Sequence, residues 1–237
     1  MYILIILLPL ISSLVILLFG RTIGIKGSNY FSLGCMGIAT VLSCFIYYET
    51  MVFKSAISLG IINWVSLNLF STKIYFFVDS ISGGMILIVN IVSFLVHLYS
   101  TSYMEGDPHT PRFMGYLSLF TFFMLILVSS QNYLQLFIGW EGVGLCSYLL
   151  INYWFGRIQA NKAAIKAMLV NRVGDAALIA AIVLLWCDCG SVNFFTVFSS
   201  GSYSSKFIIP VSLLIGAIEK SAQIGLHTWL PDAMEGP

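Results

Sequence analysis

The sequence predicts an all-α polytopic membrane protein of about seven transmembrane helices, the last one broken, with a short surface β-hairpin between helices 2 and 3. Three observations carry this reading. Of the 237 residues, 59% are hydrophobic and only 9% are charged, against roughly 25% charged in an ordinary soluble domain. The mean hydropathy is +0.94. Apolar runs of the roughly 20 residues needed to cross about 30 Å of hydrocarbon recur along the whole chain.

Six segments meet that length: residues 2–19, 30–53, 81–103, 113–129, 133–154 and 163–186, and a seventh runs from 207 towards 227. The first lacks a charged n-region and a small-residue cleavage site, so it reads as a retained span and not a signal peptide. No Arg-rich amphipathic transit segment precedes it, which suits a membrane protein made inside the organelle where it resides. Residues 62–80, INWVSLNLFSTKIYFFVDS, are rich in aromatic and β-branched side chains around a polar Ser71-Thr72-Lys73 turn, and predict the hairpin. Residues 192–198, apolar but short and bounded by Gly190 and Gly201, predict an interfacial helix or loop. Neither an internal repeat nor a low-complexity linker is visible, so residues 1–237 read as a single membrane domain.

Lysine and arginine in short loops set the orientation. Arg21, Lys26, Arg112, Arg157, Lys162 and Lys166 fall on one side and Lys54, Lys73 and Lys206 on the other, while Arg172 and Lys220 lie within spans. The side with six should face the compartment of synthesis, which puts the N-terminus and the hairpin on the outer side. A formal net charge of +1 and the lack of a basic patch exclude nucleic acid as a partner. Cys35, Cys44, Cys146, Cys187 and Cys189 lie in or beside apolar runs without C-x-x-C spacing, and read as small apolar packing residues.

In so apolar a chain each intramembrane charge, costing about 2.5–3.5 kcal/mol on insertion scales, calls for a partner or a role. Glu141, in LFIGWEGVGLCSY, sits about 12 Å into the fifth span at 1.5 Å per residue. Gly139, Gly142 and Gly144 surround it and permit close approach of a helix or water. The alternative is a structural carboxylate bonded to a neighbouring helix. Lys220, in IGAIEKSAQIGLHTW, lies near mid-depth of the seventh span, where burial disfavours its charge and a facing carboxylate favours it; snorkelling to an interface is the alternative. Glu219 beside it points about 100° away on a helix and is not automatically its partner. Arg172 and Asp175 are spaced i, i+3 and share one face, as a functional pair or as two charges that simply neutralise each other. His97 reads as a hydrogen-bonded core residue, and His109 and His227 as loop or helix-end residues. Gly225, Pro231, Gly236 and Pro237 in GLHTWLPDAMEGP predict a break in the seventh span, which membranes tolerate where protein or water covers it.

The strings HLYSTSYMEGDPHTPRFMGYLSLFTFFML, LQLFIGWEGVGLCSYLLINYW, NKAAIKAMLVNRVGDAAL and KSAQIGLHTWLPDAMEGP closely resemble the subunit 5 family of mitochondrial NADH:ubiquinone oxidoreductase (complex I). The wider family includes the membrane subunits of Mrp-type cation/proton antiporters. With a weaker N-terminal match the resemblance covers the whole chain; the segments before Phe77 and between Ala177 and Pro210 match poorly. It implies a proton-translocating membrane subunit in the mitochondrial inner membrane, with its N-terminus on the intermembrane-space side. Glu141 and Lys220 map onto the family's membrane glutamate and its lysine on a broken helix, as the proton-carrying pair. Arg172 and Asp175 match the family's NRVGD string, as a coupling or interface ion pair, and His227 is a weaker candidate. No cofactor is expected in this chain; NADH, FMN, iron–sulfur clusters and ubiquinone would sit on other subunits. The partners implied are other membrane-arm subunits, including a neighbouring antiporter-like subunit, and lipids. Because the family continues with further spans carrying more proton-path residues, the resemblance also implies a companion chain that carries the C-terminal half. Two rivals stand beside this: an Mrp-type antiporter subunit exchanging sodium for protons, and a non-catalytic structural membrane subunit in which Glu141 and Lys220 form only a structural ion pair.

Overall fold

A computed structural model describes residues 2–67, 70–200 and 207–237, with the backbone alone at residues 67 and 70. Gly201 and Lys206 lie outside the described residues. The chain divides into two compact units: the described residues up to Leu59 with Tyr75–Ser130, and Gly60–Ile74 with Gln131–Pro237.

In the first unit, α1 (Tyr2–Val52) covers 51 residues as two helices that meet at a kink, each long enough at 1.5 Å per residue to cross about 30 Å of hydrocarbon. The first two expected spans are thus both present, one on either side of Gly24, whose φ of 74° and ψ of 176° only glycine adopts freely. α2 (Ser80–Tyr103) opens with a capping box: the Ser82 N–H donates to the Asp79 side chain, and the Asp79 N–H donates to Ser82 Oγ, both at 2.7 Å. α3 (Thr110–Val128) carries Pro111 in its first turn, where no amide partner is lost. Gly20 meets Pro111 at one end of this unit. At the other, Tyr2 donates its hydroxyl proton to the Glu49 carboxylate at 2.9 Å. Arg21 and Arg112 thus share an end.

Ile5, Ile6, Ile46, Phe76, Val78, Ile86 and Leu125 form the first unit's apolar core. A buried polar thread lies beside it: His97 Nδ1 donates to the Ser93 carbonyl at 2.8 Å, and its Nε2 lies 3.2 Å from Ser118 Oγ, itself 3.1 Å from Ser12 Oγ. His97 is the bonded core histidine expected. Outward-facing Leu18, Tyr30, Ile81, Ile88 and Leu95 are exposed, as suits helices whose solvent is hydrocarbon.

The hairpin pairs β1 (Ile57–Leu67) with β2 (Phe70–Val78). Its connection is residues 68–69, outside the described residues. Ser71, Thr72 and Lys73, expected at the turn, lie within β2 instead. Strand alternation explains this, since Thr72 occupies the same face as Phe76 and Val78 and is buried like them.

In the second unit, α4 (Tyr133–Ile151) is capped by Asn132, whose side chain accepts from the Gln135 N–H at 2.7 Å and donates to the Lys73 carbonyl at 2.8 Å. A 3₁₀ turn, Asn152–Trp154, leads to α5 (Ile158–Cys189), which ends at Gly190 in the left-handed region. α5 buries Ala160, Ala163, Ala164, Ala167, Asn171, Gly174, Asp175, Leu178, Ala181 and Leu185, a helical stripe of mostly small residues that lets neighbours approach. α6 (Phe194–Ser200) is a single short helix, matching the short interfacial element expected. α7 (Ile208–Lys220) is followed by α8 (Trp229–Asp232) and a 3₁₀ turn, Ala233–Glu235, which packs with Trp229 on the alanine face of α5. Lys166 on α5 pairs with Asp232 at 2.6 Å.

Among the described residues five helices, α1 to α5, are long and apolar enough to cross a membrane. Seven spans are therefore not matched helix for helix: α1 is long enough for two, and the 13 residues of α7 span only about 20 Å. The break is present but begins earlier than Gly225. α7 closes with a Schellman motif, in which the Gln223 N–H donates to the Ile218 carbonyl (3.0 Å) and the Ala222 N–H to the Glu219 carbonyl (3.1 Å). Ala222 takes the left-handed position at φ 49°, which costs a non-glycine residue roughly 1–2 kcal/mol. Ala222→Gly should stabilise the protein by about 1 kcal/mol and Ala222→Val should destabilise it, read as shifts in thermal midpoint of the solubilised protein.

Candidate functional site

The intramembrane charges of the second unit gather where α4, α5 and α7 meet. α4 presents Glu141 midway along its 19 residues, and α5 presents Arg172 midway along its 32. Arg172 Nη1 donates to Glu141 Oε1 at 2.7 Å, with side chains 54% and 27% exposed. This corrects the expected Arg172–Asp175 pair. Asp175 lies on the buried stripe of α5 and is only 5% exposed, whereas Arg172 lies off that stripe. Burying a guanidinium is costly, so the arginine turns outward and its reach takes it across to α4.

Lys220 is the last residue of α7, where the helix dipole favours a cation. Its Nζ lies 3.8 Å from Glu219 Oε1 and 5.5 Å from the centre of the Trp140 ring, within cation–π range. Glu219 is fully buried. With the Asn171 amide nitrogen facing it, that nitrogen donates to Glu219 Oε1 at 2.9 Å and to the Ala167 carbonyl at 3.1 Å. Two glycines make the room. A Cβ at Gly174 would stand 2.5 Å from Glu219 Cβ and 2.8 Å from its Oε2, and one at Gly144 would stand 3.3 Å from Lys220 Nζ.

Asp175 and Glu219 lie within electrostatic range of each other and each within range of Glu141 and Lys220, and Trp140 faces both of them. Yet Asp175 Oδ1, Glu219 Oε2 and Trp140 Nε1 are buried without a hydrogen bond of acceptable geometry.

The structure thus brings Glu141, Arg172, Asp175 and Lys220 into one cluster. His227 stays apart from its chemistry: it is exposed between α7 and α8, where its carbonyl accepts from the Leu230 N–H. His109 stands at the start of α3, as expected of a helix-end residue. Three members escaped the sequence reading, Asn171, Trp140 and Gly174, and a fourth, Glu219, was seen beside Lys220 but not taken as its partner. Asn171 and Gly174 carried a usable signal, since with Asp175 they recur at three- and four-residue spacing along an alanine-rich stripe. Among the described residues no group of three or more His, Cys, Asp or Glu gathers to hold a metal ion.

With this geometry in hand, the chain was compared with known proteins. Residues 130–237 match the model of the NADH:quinone oxidoreductase/Mrp antiporter membrane family, and residues 64–114 that of the complex I chain 5 N-terminus. NADH-ubiquinone oxidoreductase chain 5 of Metridium senile is 53% identical over 240 residues, covering 100% of this chain and 40% of that one. The chain 5 of Marchantia polymorpha is 50% identical over 252 residues, covering 100% and 38%. The chain therefore spans about two fifths of the length of the curated relatives it matches. Among solved structures, a chain of the Mrp complex from Dietzia sp. DQ12-45-1b has a TM-score of 0.85 at 23% identity, covering 100% of this chain and 25% of that one. A chain of the membrane-bound sulfane sulfur reductase, an archaeal respiratory membrane complex, has a TM-score of 0.80 at 20% identity, covering 98% and 47%. At these identities the structural likeness speaks for the fold.

The contact between α5 and α7 depends on Gly174. Gly174→Ala should destabilise the protein by about 1–3 kcal/mol, the usual range for overpacking. Thermal denaturation of the solubilised protein checks this; an unchanged midpoint would mean that α7 does not press on α5 there.

Proposed function

We propose that this chain, matched over residues 130–237 by the NADH:quinone oxidoreductase/Mrp antiporter membrane family and over residues 64–114 by the complex I chain 5 N-terminus, is a proton-translocating subunit of NADH:ubiquinone oxidoreductase. One observation carries the proposal. A chain with only 9% charged residues concentrates three carboxylates and two cations, Glu141, Asp175, Glu219, Arg172 and Lys220, at one junction of membrane helices. Intramembrane ionisable residues are expensive and mark ion and proton pathways.

In the proposed cycle Glu141 and Lys220 are the proton-carrying pair. Glu141 is held by Arg172 in the state described here, which leaves Lys220 to other carboxylates. Protonation of Glu141 weakens its hold on Arg172, and its deprotonation restores a negative charge that stabilises Lys220 as ammonium. Asp175, buried in the same field, sets how strongly each state is favoured. NADH oxidation and quinone reduction take place on other subunits, which hold NADH, FMN, the iron–sulfur clusters and ubiquinone, and supply the energy that moves the cluster between states.

The exposed side of the Glu141–Arg172 pair calls for cover by protein or water at membrane depth. Membrane-arm subunits, a neighbouring antiporter-like subunit and a companion carrying further spans would provide it, with lipid around the apolar flanks. The proposed location is the mitochondrial inner membrane, with the lysine- and arginine-rich loops in the matrix and the N-terminus on the intermembrane-space side. The second reading, a sodium/proton antiporter subunit, draws on the likeness to the Mrp complex. The higher identity to chain 5 relatives, 53% against 23%, favours the respiratory reading. A sodium-dependent flux without NADH would reverse that preference.

Glu141→Gln in membranes holding the assembled complex should lower proton pumping and NADH:quinone activity together by about a hundredfold or more, the lower end of what one positioned acid–base group supplies. Survival of both rates would sink the relay and leave Glu141 a structural carboxylate.

A further inference from the structure

Glu219 has no place in the relay as drawn above, yet no carboxylate in the cluster is more deeply enclosed. It is fully buried, its Oε1 stands 3.8 Å from Lys220 Nζ, and its Oε2 has no hydrogen bond. Three features of α5 are shaped to it: Asn171 donates to Oε1, Gly174 leaves the space its side chain fills, and Asp175 adds a second buried negative group within range. Glu141, the carboxylate the sequence assigns to Lys220, is meanwhile engaged by Arg172 at 2.7 Å.

We infer that Glu219 is the proton-exchanging partner of Lys220, a further carboxylate of the relay that takes the lysine's proton when Glu141 is held by Arg172. The inference rests on the relay reading and adds a station to it. In the step, an Nζ–H bond of the Lys220 ammonium breaks and an O–H bond forms on the Glu219 carboxylate. The bonding pair stays on nitrogen, so an ion pair becomes an amine beside a carboxylic acid, with no oxidant or reductant involved. From 3.8 Å, transfer needs an approach of about 1 Å to hydrogen-bond distance, or one bridging water. The position of Lys220 at the open end of α7 and the unbranched lysine stem allow the approach.

An ionised carboxylate with no exposure and a single hydrogen-bond donor is poorly solvated, and an ion pair at 3.8 Å in such a place recovers only part of that loss. The neutral pair avoids both burials. Asp175 and Glu141 stand within electrostatic range of Glu219, so a change of charge on either is felt there, which is what a relay station requires.

The test uses the assembled complex carrying Glu219→Gln, Glu219→Asp or Glu141→Gln, with assembly followed on native gels and pumping measured in H₂O and D₂O. Glu219→Gln should assemble, lose about tenfold or more in pumping and lack the deuterium-sensitive carboxylic-acid band in its redox-induced infrared difference spectrum. Glu219→Asp should restore part of the pumping and the band. If Glu219→Gln pumps with native rate, isotope effect and infrared band while Glu141→Gln does not pump, Glu219 is a structural counter-ion and the inference is overturned with the relay intact. If Glu141→Gln pumps normally, the relay reading itself fails and takes Glu219 with it.

Discussion

The second unit is organised by the cost of charge in an apolar medium. Two cations and three carboxylates placed among membrane helices cannot be left to solvent, and each helix position that carries one limits what may stand opposite. The 2.7 Å Arg172–Glu141 bond ties α5 to α4, and Lys220 Nζ, 5.5 Å from the centre of the Trp140 ring, sets the end of α7 against α4. The helix break follows from the same constraint. By ending α7 at Lys220, the Schellman turn puts the ammonium at the negative end of a helix dipole, and Trp229, just past the break, donates its indole N–H to the Glu219 carbonyl.

Small residues decide how closely these elements can meet. Gly174 and Gly216 lie across the α5–α7 contact, where a Cβ at Gly216 would stand 3.2 Å from Leu178 Cδ1, and the alanines of α5 receive the Trp229 segment. Without a hydrophobic driving force between helices in lipid, such packing and a few polar contacts carry the association. The site's charges and its glycines are thus two halves of one arrangement: the Arg172–Glu141 pair holds α4 to α5, and the glycines set how closely α7 approaches them.

Much of this was legible in the sequence because it depends on local rules. The spans, the hairpin, the short helix after Gly190 and the broken seventh helix follow from hydropathy, strand alternation and the positions of glycine and proline. Glu141, Lys220, Arg172 and Asp175 stood out because charge is rare in the chain. What local rules missed was partnership across helices. The i, i+3 spacing placed Arg172 and Asp175 near each other on α5, but it contained nothing about α4, where Arg172 found Glu141. Glu219 was visible beside Lys220 and set aside by the angular rule for neighbouring helix residues; the flexible lysine stem at a helix end escapes that rule. Thr72 misled the hairpin reading because a polar residue can occupy an inward strand position, and the joining of the first two spans at Gly24 depends on a single backbone conformation.

The arrangement also bears on how few groups the proposed relay would need. Glu141 and Glu219 flank the cations from different helices, and each carboxylate has one cation within ion-pair distance. Removing negative charge from either leaves a buried or half-buried cation in need of the other. The cluster is therefore coupled by necessity, since the medium permits no isolated charge and every protonation event must be answered by a neighbour. Asp175, enclosed on the buried stripe of α5, adds a third carboxylate to the same field. Passing a proton through the proposed relay would then need only a change in which of two adjacent pairs is charged.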